Sequence, residues 1–426
     1  MSAVRLARGC SRLFLLELEA RAEPLCFLLR AEPSAPSCPS STLALLSAFG
    51  SARLFSLLVH GGGRVHRARS HAELVNALSS RLPPECRVLP LTAFLPGVKD
   101  SVTRGFFLRD ESTSSSSTER VLNELKQSHA LTVFSYEREE YGGGQYWCQE
   151  LWGCPTTDTE EGENQRLYVT PVTAPQENPT ALHIINSVVF YRLDDAYQVL
   201  EECRDIIPES KEVLEIVNQQ LEACRRDIGF PVVVIEGLDA TGKTTLTESL
   251  QQALGATLLK SPPQCLAAFR QRFDSEPPLI RRAFYALGNY ITAAQIARES
   301  LQRPVIVDRY WHSTAAYAIA TAVSGAVEKL PALGSEIYEW PSDLLQPSLV
   351  LLLTVSPRER LRRLQGRGLG QTEEETQLEV NDLFRQKVDE AYKRIQNPAC
   401  VTVDASPSPD QVLQQVLSLI RNKCHL

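Results

Sequence analysis

The chain has 426 residues, 43% of them hydrophobic and 22% charged, with a net charge of −7 and a pI near 5.7. That length exceeds the usual single domain and predicts two folded units, each with its own core. The acidic balance excludes an overall cationic surface that gathers nucleic acid, and no apolar run approaches the ~20 residues of a membrane span, so neither nucleic-acid binding nor membrane insertion is expected.

The first sixteen residues, MSAVRLARGCSRLFLL, carry Arg5, Arg8 and Arg12 and no acid before Glu17. This is the composition of a mitochondrial transit peptide, with Val4, Leu6, Leu13, Phe14 and Leu15 as the apolar surface of a short helix. Residues 1–20 are therefore read as a leader and the mitochondrion as the destination; a basic start to the first strand is the competing reading. Residues 21–193 predict a mixed α+β N-terminal domain of unknown role. Apolar runs at 13–18, 25–29, 106–108 and 131–134 have strand length, whereas the Ser/Thr run at 112–118 and the glycines at 142–144 read as loops. Eleven cysteines lack zinc-site spacing. Cys148 and Cys154 flank Trp152 without a histidine to complete a ligand set, and such usage suits inert thiols in a reducing compartment. Residues 194–227, with Leu214, Val217 and Leu221 on one face, predict a helical connector.

From residue 228 to 426 the texture changes. Short β-branched or leucine-rich runs at 232–235, 257–259, 305–308, 349–355 and 401–403 alternate with longer amphipathic stretches, which predicts a five-stranded parallel sheet covered on both faces, with ligands at the carboxyl ends of its strands. Gly237, Gly242, Lys243 and Thr244 stand at Walker A spacing directly after the first of these strands. Such a loop turns successive N–H groups and a helix N-terminus toward a phosphate, so Gly237, Asp239, Ala240, Thr241, Gly242, Lys243, Thr244 and Thr245 are the expected ATP-binding residues. Lys243 adds a point charge, and the Thr244 hydroxyl is a candidate Mg²⁺ ligand. Asp308 and Arg309 follow the third strand. Asp308 is placed to hold Mg²⁺ or its water, and Arg309 to take phosphate oxygens in a fork, although a plain surface ion pair would read the same way. A basic segment at 359–371 breaks into glycines around Arg367 and predicts a mobile lid, with Arg363 and Arg367 as catalytic candidates beside Lys243 and Arg309. Phosphoryl transfer through such parts needs positioning and charge neutralisation rather than a covalent intermediate. His312 reads equally as a helix N-terminal polar residue or an active-site group.

The Walker A form EGLDATGKTT, the strand motif DRYWHSTAAY, the arginine lid and the terminal VDASPSPDQV together resemble thymidylate kinases over nearly all of the last ~200 residues. The resemblance implies a P-loop nucleoside monophosphate kinase fold. It implies Asp239 near the substrate ribose, Arg309 on the acceptor phosphate, Tyr317 crowding the sugar 2′ position and Ala405 near the adenine. Ala240 stands where some family members carry a P-loop arginine, which assigns that charge to the lid. The segment at 282–290 resembles the thymine-binding helix, with Phe284 against the base. Gly288 stands where the family uses an arginine to read the thymine edge, and Asn289 or the vacated space then meets cytosine or uracil. A domain of this kind behind a long N-terminal region and an arginine-rich leader resembles the family's mitochondrial branch, which implies ATP-dependent phosphorylation of dUMP, dCMP, UMP and CMP. The family resemblance also suggests a homodimer. A thymidylate kinase acting on dTMP and an ATP-binding regulatory or scaffolding protein are the alternatives.

Overall fold

A computed structural model describes residues 12–18, 24–33, 45, 49–96, 98, 101–112, 115–141, 144–153, 166–173, 184–185, 187–221, 229–365 and 381–424. The chain divides into two compact units, Met1–His183 with Ser324–Ala326, and Ile184–Val323 with Val327–Leu426.

In the first unit, eight strands close an antiparallel barrel: β1 (Leu13–Leu16), β2 (Leu25–Arg30), β3 (Arg53–Val59), β4 (Cys86–Phe94), β5 (Thr103–Asp110), β6 (Leu131–Tyr141), β7 (Gly144–Leu151) and β8 (Leu167–Val172), in the order β1-β2-β8-β7-β6-β3-β5-β4. Helices α1 (Arg64–Arg81) and α2 (Ser115–Ser128) cover part of its outer face. The two-residue period of a strand explains why these runs look apolar throughout. In β3, Leu54 and Leu58 enter the barrel, while Phe55, Leu57 and Val59 pack outward on Leu74 and Leu78 of α1 and Leu122 and Leu125 of α2. The interior is filled rather than hollow. The Phe49 ring sits 5.1 Å from Phe107, 5.2 Å from Trp147, 5.6 Å from Tyr136 and 6.2 Å from Phe27. Polar groups inside are mutually satisfied: Tyr136 donates to Ser56 Oγ at 3.0 Å, and Gln149 Nε2 donates to the Tyr136 hydroxyl at 2.7 Å.

Two sequence expectations change here. Leu13–Leu16 fall inside the segment read as a leader, yet all four are buried and paired with β2 on one side and β4 on the other. Their alternating burial on the barrel's two faces is a strand property that a helical reading of the same apolar residues cannot supply; residues 1–11 of that segment lie outside the described residues. Ser115–Thr118, read as loop, instead begin α2, where hydroxyl side chains suit a helix N-terminus.

The second unit holds the five-stranded parallel sheet, β9 (Val232–Gly237), β10 (Thr257–Lys260), β11 (Val305–Asp308), β12 (Leu349–Thr354) and β13 (Cys400–Asp404), in the order β10-β11-β9-β12-β13. Its helices are α3 (Leu193–Glu202), α4 (Glu209–Leu221), α5 (Lys243–Leu254), α6 (Arg270–Asp274), α7 (Pro278–Glu299), α8 (Trp311–Ala322), α9 (Pro357–Gln365), α10 (Asp382–Arg394) and α11 (Pro409–Cys424). Alternate residues of each strand feed two cores. Val232, Val234, Val305, Val307, Val350 and Leu352 pack on α7, α8 and α10, whereas Val233, Ile235, Ile306, Leu351 and Leu353 pack on α5 and α11. The residues read as a connector pack within this unit: α3 and α4 lie on α7, and Asp343 ties them in by accepting from Leu193 N at 2.8 Å and from the Tyr290 hydroxyl at 2.6 Å. Strand β9 sits at the centre, with connections leaving to either side, which opens a crevice at its carboxyl end. Among the described residues no helix is long and apolar enough to cross a membrane.

Phe107 is fully buried at the centre of the barrel. Phe107→Ala is expected to lower the stability of the N-terminal unit by about 3–5 kcal/mol, read as a shifted midpoint in urea unfolding followed by tryptophan fluorescence.

Candidate active site

At the carboxyl end of β9 the chain must turn back into α5 within five residues, and it does so through left-handed backbone at Gly237 (φ 144), Ala240 (φ 61) and Gly242 (φ 93). A Cβ on Gly237 would stand 2.7 Å from the Leu353 carbonyl of β12, so only glycine fits there. The loop is braced from within. Thr241 Oγ1 and Lys243 Nζ both donate to the Leu238 carbonyl at 2.8 Å. Burial, with the nearby Arg309 charge, pulls the Lys243 ammonium down to about 7, against the upward pull of Asp239, Asp308 and Glu236.

The end of β11 lies beside this loop. Arg309, itself at φ 66, reaches across to Asp239 Oδ1 at 2.9 Å and to Ser313 Oγ at 3.2 Å, and its guanidinium carbon lies 5.8 Å over the Tyr317 ring. A left-handed conformation is costly for arginine and marks a side chain aimed by its surroundings. The aiming group is Glu236, the last side chain of β9 before Gly237. Fully buried, it accepts from Tyr310 N at 2.8 Å and Ser313 N at 3.2 Å, thereby capping α8, and also from the Ser313 hydroxyl and, at 3.2 Å, the Tyr392 hydroxyl of α10. Burial pushes its carboxyl above the usual range, with the Ser313 hydrogen bond and the Arg309 charge opposing.

Asp308 is 7% exposed, and its Oδ1 has no hydrogen-bond partner among the described residues. Lys260 Nζ is 3.9 Å from its other oxygen. An orphaned carboxylate oxygen in one pocket with the exposed Thr244 hydroxyl is a donor set that fits a hard divalent cation such as Mg²⁺.

A cleft of about 960 Å³ opens from Lys243, Thr244, Asp308 and Arg309 toward Ser261, Tyr285, Thr314 and Tyr317. A second, of about 470 Å³, lies across the loop between Thr245, Arg363 and Ala405. Ala240 and Gly242 border both, so the loop separates two compartments that together suit a donor and an acceptor nucleotide.

The predicted residues divide accordingly. Lys243, Thr244, Asp239, Asp308, Arg309 and Tyr317 meet at the larger cleft, and Thr241, Thr245 and Ala405 line the smaller one. Four placements differ from the sequence reading. Phe284 does not face the cleft: it is fully buried, stacked on Phe273 at 4.6 Å, and Tyr285 lines the cleft instead. Gly288 leaves no space for a base, since a Cβ there would stand 3.0 Å from Pro262. Arg363 lines the smaller cleft rather than the larger one, where Glu359 holds it at 2.7 Å and it donates to the Ala405 carbonyl at 2.9 Å. Asn289 is 1% exposed and reaches the cleft only through Ser261 and Thr314. Arg367 lies outside the described residues. His312 is fully buried, donates from Nε2 to the Pro398 carbonyl at 2.8 Å, and is driven down to about 4 by burial, which makes it a core group. The sequence reading misses Glu236, Ser313 and Tyr392, because no spacing signal joins a strand end to helices 77 and 156 residues away.

The thymidylate kinase family model matches residues 235–416. The chain is 46% identical over 369 residues to the human protein named UMP-CMP kinase 2, mitochondrial, covering 85% of this chain and 80% of that one. It is 31% identical over 206 residues to a thymidylate kinase of Xanthomonas oryzae pv. oryzae, covering 45% of this chain and 83% of that one. Among solved structures, a Candida albicans thymidylate kinase aligns over 47% of this chain and 95% of its own at 23% identity, with a TM-score of 0.37.

Burial holds the Lys243 ammonium down to about 7, and phosphate oxygens placed beside it would raise that value. Binding of ATP at about pH 8 is therefore expected to take up close to one proton, and far less at about pH 6, where the ammonium is already charged. Calorimetry in buffers of different ionisation enthalpy reads the uptake directly; Lys243→Met should abolish it.

Proposed function

Because this chain belongs to the thymidylate kinase family and is a nucleoside monophosphate kinase, we propose that it phosphorylates the pyrimidine nucleotides dUMP, dCMP, UMP and CMP with ATP as donor. The observation that carries this reading is the convergence of Lys243, Asp308 and Arg309 on the end of a cleft walled by Tyr285, Ser261 and Thr314. That arrangement offers cations to phosphate at one end and an aromatic face with hydroxyls to a nucleoside at the other.

In this reading the P-loop amides and Lys243 hold the donor phosphates, and Arg309 forks onto the acceptor phosphate once released from Asp239. Asp308 and Thr244 would hold Mg²⁺, which when bound supplies charge neutralisation along the polyphosphate. No side chain serves as nucleophile; the acceptor's own phosphate oxygen receives the phosphoryl group. Arg363 approaches from the donor side, and Arg367 of the lid segment adds positive charge to the transferring group. Tyr285, rather than Phe284, stacks on the base. Tyr317 lies beneath Arg309, where the sugar passes, and favours a sugar without the 2′-hydroxyl.

Support for uracil and cytosine over thymine comes from two directions. The human relative carries UMP-CMP kinase in its name. With Tyr285 on the base side, the residue one turn on is Asn289, and no arginine stands there to read a thymine edge. That relative's name, with Arg5 and Arg8 of the leader, also supports the mitochondrion as the site of action.

Coupled ADP release by the full chain with Mg²⁺-ATP and each of dCMP, dUMP, CMP, UMP and dTMP tests this. Cytidine and uridine monophosphates should exceed dTMP in kcat/KM by about tenfold or more, the size of one lost hydrogen bond or one misfitting methyl; dTMP as best acceptor would overturn the substrate reading. Lys243→Met should lower kcat about a hundredfold or more with every acceptor, as loss of one aimed cationic donor does elsewhere. Retained turnover would point instead to a scaffolding role.

A further inference from the structure

We infer that the buried amide of Asn289 lets one pocket accept both cytosine and uracil by turning over between two equivalent hydrogen-bonded states. This rests on the pyrimidine reading above and adds the residue that decides it.

Asn289 follows Tyr285 by four residues on α7, so the two share a helix face. The Tyr285 ring lines the cleft, but the Asn289 side chain stops short of it, 1% exposed. Its two polar atoms end on two hydroxyls that do line the cleft. Ser261 Oγ donates to Asn289 Oδ1 at 2.7 Å, and Asn289 Nδ2 donates to Thr314 Oγ1 at 3.0 Å. The close approach of Gly288 to Pro262 clamps α7 against the residue after Ser261 and fixes this spacing.

A hydroxyl has one proton. With Oδ1 toward Ser261, the Ser261 proton is committed to the amide, so that hydroxyl offers the cleft only lone pairs. Thr314, which accepts from the amide, keeps its proton for the cleft. The pair thus presents one acceptor and one donor. Rotating the amide by half a turn reverses every direction: Ser261 then donates to the cleft and Thr314 accepts. Both states satisfy all the groups equally, and the heavy atoms hardly move.

Cytosine and uracil differ by the same reversal. Cytosine shows an amino donor at position 4 and an acceptor at N3; uracil shows a carbonyl acceptor at position 4 and an N3–H donor. Whichever hydroxyl meets position 4, one amide state fits cytosine and the other fits uracil. A fixed charge at this place, as from an arginine, cannot reverse.

The test uses the full chain with dCMP and dUMP. Asn289→Leu removes the relay at similar volume and should raise KM for both nucleotides by about tenfold, with the ATP KM and the thermal midpoint little changed. Asn289→Asp supplies two acceptors, so both hydroxyls spend their protons on the carboxylate and each base loses one partner. Its kcat/KM should fall for both nucleotides at alkaline pH and recover for both as the carboxyl gains a proton, relative to the unaltered enzyme at each pH; the Leu variant should show no such recovery. A loss confined to one nucleotide would mean a single fixed amide state and overturn the inference, as would unaltered KM values or a parallel shift in the ATP KM, which is the mark of a merely structural contact. Failure of the unaltered enzyme to use either nucleotide would remove the substrate reading itself, which is a separate result.

Discussion

The C-terminal unit is organised around one fully buried carboxylate. Glu236 leaves the central strand at the place where the chain must turn into the phosphate loop, and its two oxygens collect Tyr310 N, Ser313 N and the hydroxyls of Ser313 and Tyr392. A buried charge of this kind persists only when its lone pairs are filled, and truncating such a group leaves several donors unsatisfied at once. The consequence is geometric. By binding the first amides of α8, Glu236 fixes where that helix begins, and hence the left-handed backbone that swings Arg309 over the cleft. By binding Tyr392 it also fixes α10. The glycine-rich loop, Arg309 and α10 are therefore referenced to one atom group.

Helix α7 shows a different constraint, packing on every side. Sixteen of its residues are buried, because α7 touches α3, α4 and α8 as well as the sheet. Nothing in its hydropathy marks the face that meets the cleft, since apolar residues appear all round the helix. The choice between Phe284 and Tyr285 is a rotation of one residue. Only packing resolves it: Phe284 finds the parallel face of Phe273, and Tyr285 keeps its hydroxyl on Asp274 at 2.8 Å at the cleft wall. A phenol needs a polar partner when buried, which a phenyl ring does not.

What could be read from residues alone follows from how local each signal is. The phosphate loop is local, since Gly237, Gly242, Lys243 and Thr244 act through backbone curvature over a few positions. The five parallel strands are nearly local, because burial on both faces leaves unbroken apolar runs. The barrel is not local. Its strands are also apolar on both faces where α1 and α2 cover them, and its closure depends on Leu13–Leu16 pairing with residues about eighty positions away, where composition favoured a leader. Arg363 illustrates a middle case: the helix carrying it was legible, but the compartment it serves is decided by Glu359 one turn earlier and by the Ala405 carbonyl from the far end of the domain.

The cleft also gathers charged groups that do not compensate one another. Lys243 and Arg309 are near enough for the second to depress the first, while Asp239 and Asp308 each keep one buried oxygen without a hydrogen-bond partner among the described residues. Buried polar atoms are seldom left unpartnered without a reason. Two cations that oppose one another call for an anion between them, and an orphaned carboxylate oxygen calls for a cation. A single monophosphate would relieve the first demand and leave the second; a metal–polyphosphate paired with an acceptor phosphate relieves both. The groups left unsatisfied thus call for an anion and a cation together at the carboxyl edge of β9 and β11, as the proposed reaction requires.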